Sequence, residues 1–469
     1  MTIKTKAVIL AAGKGTRMKS ELPKVLHKIQ GLSLIERVIN ETLKVKDIEG
    51  SVIITGHKSE LVDEVIEKNY CHCTVSTVIQ SPQLGTGHAV SMAIPELSGF
   101  EGNILILCGD TPLLTAETLD ALCDFHNNQK SDLTVLSTIF ENPTNYGRII
   151  KNNGKLEKIV EEKDATTEQK LVKEVNTGVY CLNWQKILPA FSTLKSNNSQ
   201  NEYYLTDIVE WAVQKGLNTN AFILEDNTQS FGINSKEHLM QATKMLNDKT
   251  IKKLLDNGVS IYSSETTFIS PETSIEADTI IYPNVCIEGE NSLGRNNIIG
   301  PNTFIEGNVE TGENVKIIQS KISNVEIASD SCIGPFAHIR DNAKIGKNVR
   351  IGNFVEIKKS KISSNTNAAH LSYIGDAELG ENVNIGAGTI TANYNAITKE
   401  KNKTILNDGV KTGSNSVLVA PVEIGKNSTI AAGSVITKDV PENSLAISRA
   451  KQENFIGWVN RQLQKIKGE

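Results

Sequence analysis

The 469-residue chain has no stretch of about 20 consecutive apolar residues, so no transmembrane segment is expected. Its opening, Met-Thr-Ile-Lys-Thr-Lys, leads straight into a strand without the basic and hydrophobic regions that mark a signal peptide. Positive charge is not in excess. The net charge of −5 argues against a nucleic-acid partner, while leaving phosphorylated small molecules to local Lys and Arg. Cysteine is sparse and odd in number, seven residues scattered along a long chain. That implies no disulfide framework, and reduced thiols in a cytoplasmic protein are the simpler expectation. Cys71-His72-Cys73 lacks a second ligand pair at zinc spacing and reads as incidental strand sequence. With 39% hydrophobic and 22% charged residues, the composition is that of an ordinary soluble protein, long enough for two or more domains.

What is present is a ladder with a period of six. Ile275, Ile281, Ile287, Leu293, Ile299 and Ile305 form one run, and Ile327, Ile333, Ile339, Ile345, Ile351 and Ile357 a second. Leu379 and Ile385, then Leu418, Ile424, Ile430 and Ile436, continue it, with Gly often next. Six is neither a helical period nor strand alternation. It is the hexapeptide repeat of a parallel β-helix, in which three hexapeptides make one triangular coil and stacked coils bury an apolar column. The ladder breaks at 306–326, 358–378 and 386–413, and breaks in a repeat are where function is expected.

The first 230 residues read differently. Lys6–Leu10 is a short buried strand, followed by the Gly-rich turn Ala11-Ala12-Gly13-Lys14-Gly15-Thr16-Arg17-Met18 and by Leu22-Pro23-Lys24. Such a turn cradles phosphate with backbone N–H groups. It has neither the third Gly of a dinucleotide fingerprint nor the Walker spacing, so neither site is supported. Arg17 and Lys24 flank it, as a triphosphate demands. Leu-x-x-Gly-x-Gly-Thr-Arg-Met followed by Pro-Lys resembles the signature of sugar-1-phosphate nucleotidyltransferases. The later elements fit an α/β, Rossmann-like layer with a mostly parallel sheet. Helices are expected at 34–43 and 59–68, and strands at 51–55, 74–79 and 104–108.

The resemblance implies binding of UTP or UDP-N-acetylglucosamine by Leu10, Ala11, Ala12, Gly13, Arg17 and Lys24. Gln80, Gly85 and Thr86 would face the uracil, although a Gln there also reads as a turn amide capping the next helix. Gly147, Glu161 and Asn176 would hold the sugar, although Glu161 alone belongs to a solvated charge run. Asp110, at the carboxyl end of the most apolar strand, is the first metal ligand implied, for Mg²⁺, against a plain turn Asp before Thr111-Pro112. Asn234 matches the second. It also stands three residues before Glu237, a capping-box spacing, so Asn234 or Ser235 would open a helix running to about Asn257 and ending at Gly258.

In the repeat half, Asn353-Phe354-Val355-Glu356-Ile357-Lys358-Lys359, Asn382-Val383-Asn384-Ile385-Gly386-Ala387-Gly388-Thr389 and Leu445-Ala446-Ile447-Ser448-Arg449 carry the resemblance further. With the first half, nearly the whole chain is similar to the family of bacterial bifunctional enzymes that make UDP-N-acetylglucosamine for peptidoglycan and other cell-wall polymers. The helix sense implied is left-handed. The resemblance implies acetyl transfer from acetyl-CoA to glucosamine-1-phosphate, followed by uridylyl transfer from UTP. Acetylation needs a base to deprotonate the amine, and imidazole suits this near neutrality. The resemblance makes His370 that base, where a His at such a junction would otherwise read as structural. Arg340, Lys358 and Tyr373 would hold the sugar phosphate, and Asn384, Asn393 and Tyr394 would fix the sugar or orient His370. Asn393 and Tyr394 would also border acetyl-CoA, which would lie along Ala387, Ser414, Ala432 and Arg449. Lys399, Lys401 and Lys403 would sit near CoA phosphates or form a solvated loop. Ala369, Asn367, Asn395-Ala396 and Cys108 depart from the family pattern without removing a catalytic group.

The expected organisation is 1–233, a linker helix at 234–258, the β-helix at 259–450 and a tail at 451–469. In the tail, Gln452–Lys467, with Phe455, Trp458 and Leu463, reads as an amphipathic helix packing on a neighbour in a homotrimer, or as a frayed end. Two rivals remain: a single-function nucleotidyltransferase with a β-helix scaffold, and a silent scaffold. The first has no need of His370, Arg340, Lys358 and Asn393-Tyr394 together, and the second has none of Arg17, Lys24, Asp110 and Asn234.

Overall fold

The computed structural model describes residues 3–467. The chain forms two compact units that part between Leu246 and Asn247. In the first unit, strands β1 (Thr5–Leu10), β2 (Ile48–Thr55), β3 (Val75–Ile79) and β4 (Asn103–Cys108) are parallel, in the spatial order β4-β1-β2-β3. Strands β5 (Leu133–Ile139), β8 (Glu174–Asn183) and β9 (Thr219–Leu224) extend the sheet beyond β4 in the order β9-β5-β8, and β8 runs antiparallel to both β4 and β5. A hairpin, β6 (Arg148–Asn152) and β7 (Lys155–Val160), pairs onto β8. The antiparallel β8 was not expected, because its first half reads as a polar motif rather than as a strand.

Alternation along the strands divides the core into two faces. Val8, Ile54, Ile104 and Ile106 pack on one side with Ala89 and Val90 of α3 (Thr86–Met92) and Ile208, Val209 and Ala212 of α5 (Asp207–Gln214). Ile9, Ile53, Leu105 and Leu107 pack on the other with α1 (Leu34–Leu43), α2 (Ser59–Tyr70) and α4 (Ala116–Asn128). The helix at 34–43 has the expected bounds, fixed by a reciprocal cap between Ser33 and Glu36. Cys71 and Cys73 lie in the exposed turn after α2, not in a strand, and no metal-ligand cluster occurs among the described residues.

Strand order turns about β1: the chain moves from β1 to β3 on one side, then crosses to β4 on the other. In an open α/β sheet this switch point opens a crevice at the carboxyl ends of the strands. Leu10 and Cys108, the last residues of β1 and β4, pair there.

Helix α6 (Lys236–Asp256) spans the division between the units. The second unit is a parallel β-helix from Ser260–Ile261 to Leu445–Ala446. Ser274 pairs with Ser292, and Ser292 with Glu310, so one coil is 18 residues, three hexapeptides. Every aliphatic residue of the period-six ladder lies in one continuous buried column. Residues 306–326 and 358–378, read as breaks, stay within the coils. There the coil merely shortens, with Phe304 paired to Lys321 and Lys361 to Glu378. Only 386–413 holds a true insertion, Ala377 pairing with Thr404 across it. The corners use left-handed residues, mostly Asn, such as Asn296, Asn314, Asn348 and Asn365. Asn tolerates that conformation, and its amides bond from coil to coil, as between Asn296 and Asn314 at 2.6 Å and Asn348 and Asn365 at 2.8 Å.

Coil stacking admits no side chain at Gly352, where a Cβ would stand 1.8 Å from the Ala369 carbonyl oxygen. Gly352→Ala is expected to cost at least the ~3 kcal/mol upper end of overpacking. Calorimetry should show the β-helix transition lowered and the other transition unmoved. An unchanged β-helix transition would mean that the corner yields freely.

Candidate active sites

The crevice at the switch point is a cleft of about 620 Å³. Leu10, Ala11, Ala12, Gly13 and Arg17 line it from the Gly-rich turn, Lys24 from the next segment, Gln80, Gly85 and Thr86 from the second loop, and Asp110 from the end of β4. Gly15 is left-handed at φ 59°, and a Cβ on it would meet the Lys24 Cβ at 2.7 Å, so glycine there lets the turn close over Lys24. The Lys24 ammonium pairs with the Asp110 carboxylate and also donates to Asn234 Oδ1 at 3.2 Å. The Asp110 carbonyl accepts from Ile233 N–H at 2.9 Å, which fixes the segments bearing Asp110 and Asn234 side by side. Two hard oxygen donors, a carboxylate and an amide, thus converge on one cation, the donor chemistry Mg²⁺ takes.

Asn234 is not the helix cap. Ser235 is: its hydroxyl accepts from His238 N–H at 3.1 Å, which leaves the Asn234 amide free to face Lys24. Gln80 is not unpaired either. Its buried amide nitrogen donates to the Gly85 carbonyl at 2.9 Å and meets His88 at 3.1 Å, so it shapes the loop that frames the cleft but does not cap the next helix, whose cap Gly85 has no side-chain bond. Thr86 Oγ1 accepts from Leu205 N–H at 3.1 Å, tying that loop to the start of α5. Burial pushes the Cys108 thiol up to about 12, so it stands in the cleft as a neutral group. Sequence reasoning missed Gln83 and Gln200, which also line the cleft and whose polar side chains carry no signal by themselves.

Gly147, Glu161 and Asn176 form a neighbouring cluster. The Gly147 carbonyl accepts from Asn176 N–H at 2.9 Å, and Thr206 Oγ1 donates to Glu161 at 3.3 Å. Asn176 is braced at both ends, donating to Tyr180 Oη at 2.8 Å and accepting from Gly178 N–H at 3.0 Å. Burial raises Glu161, so it is no solvated charge. Asp207 beside it is raised to about 6, by burial first and then by Glu210 and Asp164. A carboxyl with a raised folded pKa keeps its proton more tightly in the fold, so its contribution to stability falls as pH rises from about 4 to 6. Asp207→Asn should therefore stabilise the first unit relative to the native chain at pH 8 and not at pH 4, read as melting temperatures at both. An equal difference at the two pH values would refute the assignment.

In the β-helix, His370 is exposed on the strand Asn367–Gly375, in register with Asn353. His370, Ala387, Ser414 and Ala432 stack as one column, each at the spacing by which Tyr373 pairs with Ile390, Ile390 with Val417 and Val417 with Val435. Backbone bonds confirm the stacking at this corner: Gly388 N–H to Leu371 carbonyl 2.6 Å, Asn415 to Ala387 2.7 Å, Gly433 to Ser414 2.8 Å. The Arg449 guanidinium closes the column on the Ala432 carbonyl at 2.7 Å.

Arg340, Lys358 and Tyr373 form another group further round the coil. Arg340 and Lys358 are register partners, and Tyr373 pairs with Glu356. Glu356 accepts from Arg340 at 2.8 Å and raises it, and Asp341 bridges Arg340 at 2.9 Å and Lys358 at 3.5 Å. Asn384 is exposed, three residues before Ala387. Asn393 is buried, its amide spent on Asp376 at 2.5 Å, so it braces the inserted loop. Tyr394 is exposed and bridges to Lys401 across that loop. Lys401 is exposed, as the solvated-loop reading expects, and lies near Lys358. The nearby Lys358 ammonium, of like charge, holds the Lys401 ammonium below its usual range. The sequence carried Lys401 only as one of three loop lysines.

A family model described as nucleotidyl transferase matches residues 6–248, and one described as bacterial transferase hexapeptide (six repeats) matches 324–359 and 403–438. A protein of Alkaliphilus oremlandii named bifunctional protein GlmU is 44% identical over 98% of this chain and 99% of its own length. The chain belongs to the GlmU family. Proteins of the same name from Caldanaerobacter subterraneus (44% identical, 98% of each chain) and Clostridioides difficile (43%, 98% of each) agree. The chain is a bifunctional transferase of UDP-N-acetylglucosamine synthesis. It transfers acetyl from acetyl-CoA to glucosamine-1-phosphate, and uridylyl from UTP to N-acetylglucosamine-1-phosphate with release of pyrophosphate. Both scaffold readings are thereby excluded.

Proposed function

We propose that the two reactions occupy the two sites described, one in each unit. The switch-point cleft takes UTP. The backbone of Leu10–Gly13 and the Arg17 and Lys24 cations hold the triphosphate, and the loop of Gln80, Gly85 and Thr86 frames the base. Gly147, Glu161 and Asn176 hold N-acetylglucosamine-1-phosphate beside it. Asp110 and Asn234 would hold Mg²⁺, which supplies charge neutralisation at the phosphates. The protein positions the sugar phosphate oxygen against the α-phosphorus and offsets the charge that develops. The convergence of Asp110 and Asn234 on one cation carries this reading.

In the β-helix, the column of His370, Ala387, Ser414 and Ala432 carries the reading. Small residues let acetyl-CoA lie along the corner toward Arg449, with its thioester at His370. The His370 imidazole takes the amine proton as nitrogen attacks the thioester carbon, and a backbone N–H near Gly386-Ala387 meets the oxyanion. Arg340, Lys358 and Tyr373 hold the sugar phosphate, with Asn384 on the sugar and Asn393 and Tyr394 shaping the loop beside it.

A homotrimer fits the exposed surface. Phe336 and Phe354 stack at 5.4 Å and are about half exposed, next to exposed Leu371. Both rings sit on left-handed residues, a strained conformation for a bulky side chain. A second copy of the chain would cover them. Helix α7 (Trp458–Lys467) starts later than the expected Gln452, leaving Phe455 outside it, and its apolar Trp458, Val459, Leu463 and Ile466 are exposed. A cytoplasmic setting agrees with seven free cysteines and, among the described residues, no helix long and apolar enough to cross a membrane.

The test measures thiol release from acetyl-CoA and pyrophosphate release from UTP on one preparation, with its mass by light scattering. Both releases from a species of three chains are expected. A fully active single chain would overturn the trimer.

A further inference from the structure

Asp110 and Asn234 converge on the Lys24 ammonium. That pair is largely shielded, with side-chain exposures of 13% for Lys24 and 20% for Asp110, so solvent screens it less than an exposed surface pair. The Ile233–Asp110 backbone bond holds the two oxygen-bearing segments in place, and the Gly15 turn packs on the Lys24 Cβ. The Lys24 ammonium is carried on a flexible stem beyond that Cβ, so it can swing away while the Cβ stays.

We propose that Lys24 is an internal cation that holds the metal position of the cleft until a nucleotide triphosphate draws it away, so that divalent metal enters with the nucleotide and not before it. The proposal rests on the reading of Asp110 and Asn234 as metal ligands. A metal arriving alone would meet an ammonium already paired with its carboxylate and would add two positive charges to it at close range. A triphosphate reverses the balance. Its charge receives the ammonium on the Gly13–Arg17 side of the cleft, and Asp110 is released to the metal. At Asp110 an ammonium of charge +1 is exchanged for a metal of charge +2, and the negative charge of the triphosphate offsets both the displaced ammonium and the added charge. Lys24 is thus a positioning residue for the metal as well as a ligand of phosphate.

The probe is Mn²⁺, followed by electron paramagnetic resonance of the free ion on the full chain, with and without UTP. Without nucleotide, Lys24→Met should bind Mn²⁺ at least tenfold more tightly than the native chain, and the gain should vanish in Lys24→Met/Asp110→Asn. Lys24→Arg, which keeps the charge, should keep the native weakness. UTP should tighten Mn²⁺ binding at least tenfold more in the native chain than in Lys24→Met. Lys24→Gln serves the same purpose should the methionine variant not fold. Equal Mn²⁺ affinity in native and folded Lys24→Met, with UTP still promoting binding in the native chain, would overturn the role of Lys24. Failure of the native chain to bind Mn²⁺ even with UTP would overturn the metal reading of Asp110 and Asn234 instead, and the proposal with it.

Discussion

Replacing His370 with alanine should slow acetyl transfer by about 10²–10⁴-fold, the usual contribution of a positioned general base, and leave uridylyl transfer unchanged. The amine of glucosamine-1-phosphate must lose a proton as it attacks the thioester, and His370 is the imidazole proposed to take it, exposed at the head of the column of Ala387, Ser414 and Ala432. The loss should fall on kcat. The KM for acetyl-CoA should hold, because Ala387, Ser414, Ala432 and Arg449 remain. Thiol release on adding glucosamine-1-phosphate measures it. A loss of less than about tenfold, below the range for a base, would assign the proton to another group. Uridylyl transfer serves as the internal control, because the cleft lies in the other compact unit.

Asp110→Asn should have the opposite pattern, with uridylyl transfer lowered about 10²–10³-fold, the scale of removing one electrostatic stabiliser of the transition state, and acetyl transfer intact. The substitution keeps size and an acceptor oxygen but removes the charge that the Lys24 ammonium meets. Pyrophosphate release from UTP and N-acetylglucosamine-1-phosphate measures it. Added metal should restore part of the rate, since weakened ligation is offset by concentration. A variant within about threefold of the native rate, well short of that scale, would remove Asp110 from the reaction.

The period-six ladder made the β-helix legible because each hexapeptide buries one aliphatic residue, and all the predicted ones reach the column. The Gly-rich turn with Arg17 and Lys24, and the apolar strand ending at Asp110, made the cleft legible because local chain geometry sets them at strand ends. The apparent breaks at 306–326 and 358–378 misled. A coil shortened by a residue or two keeps its inward side chains, and a linear period cannot distinguish that from an interruption. Antiparallel β8 was hidden because its pairing depends on distant β4 and β5.

By itself, the sequence determined the two-part architecture and which residue types stand at the strand ends and coil corners. Those follow from periodicity and residue type, which are local. Only the tertiary structure decided partners. It gave Asn234 to Lys24 and the helix cap to Ser235, tied the Gln80 amide to its own loop, set Lys401 against Lys358, and raised Glu161 and Asp207 by burial. The reason is physical. A polar side chain has several possible bonds of similar strength, and only the packing of segments remote in sequence selects which of them is made.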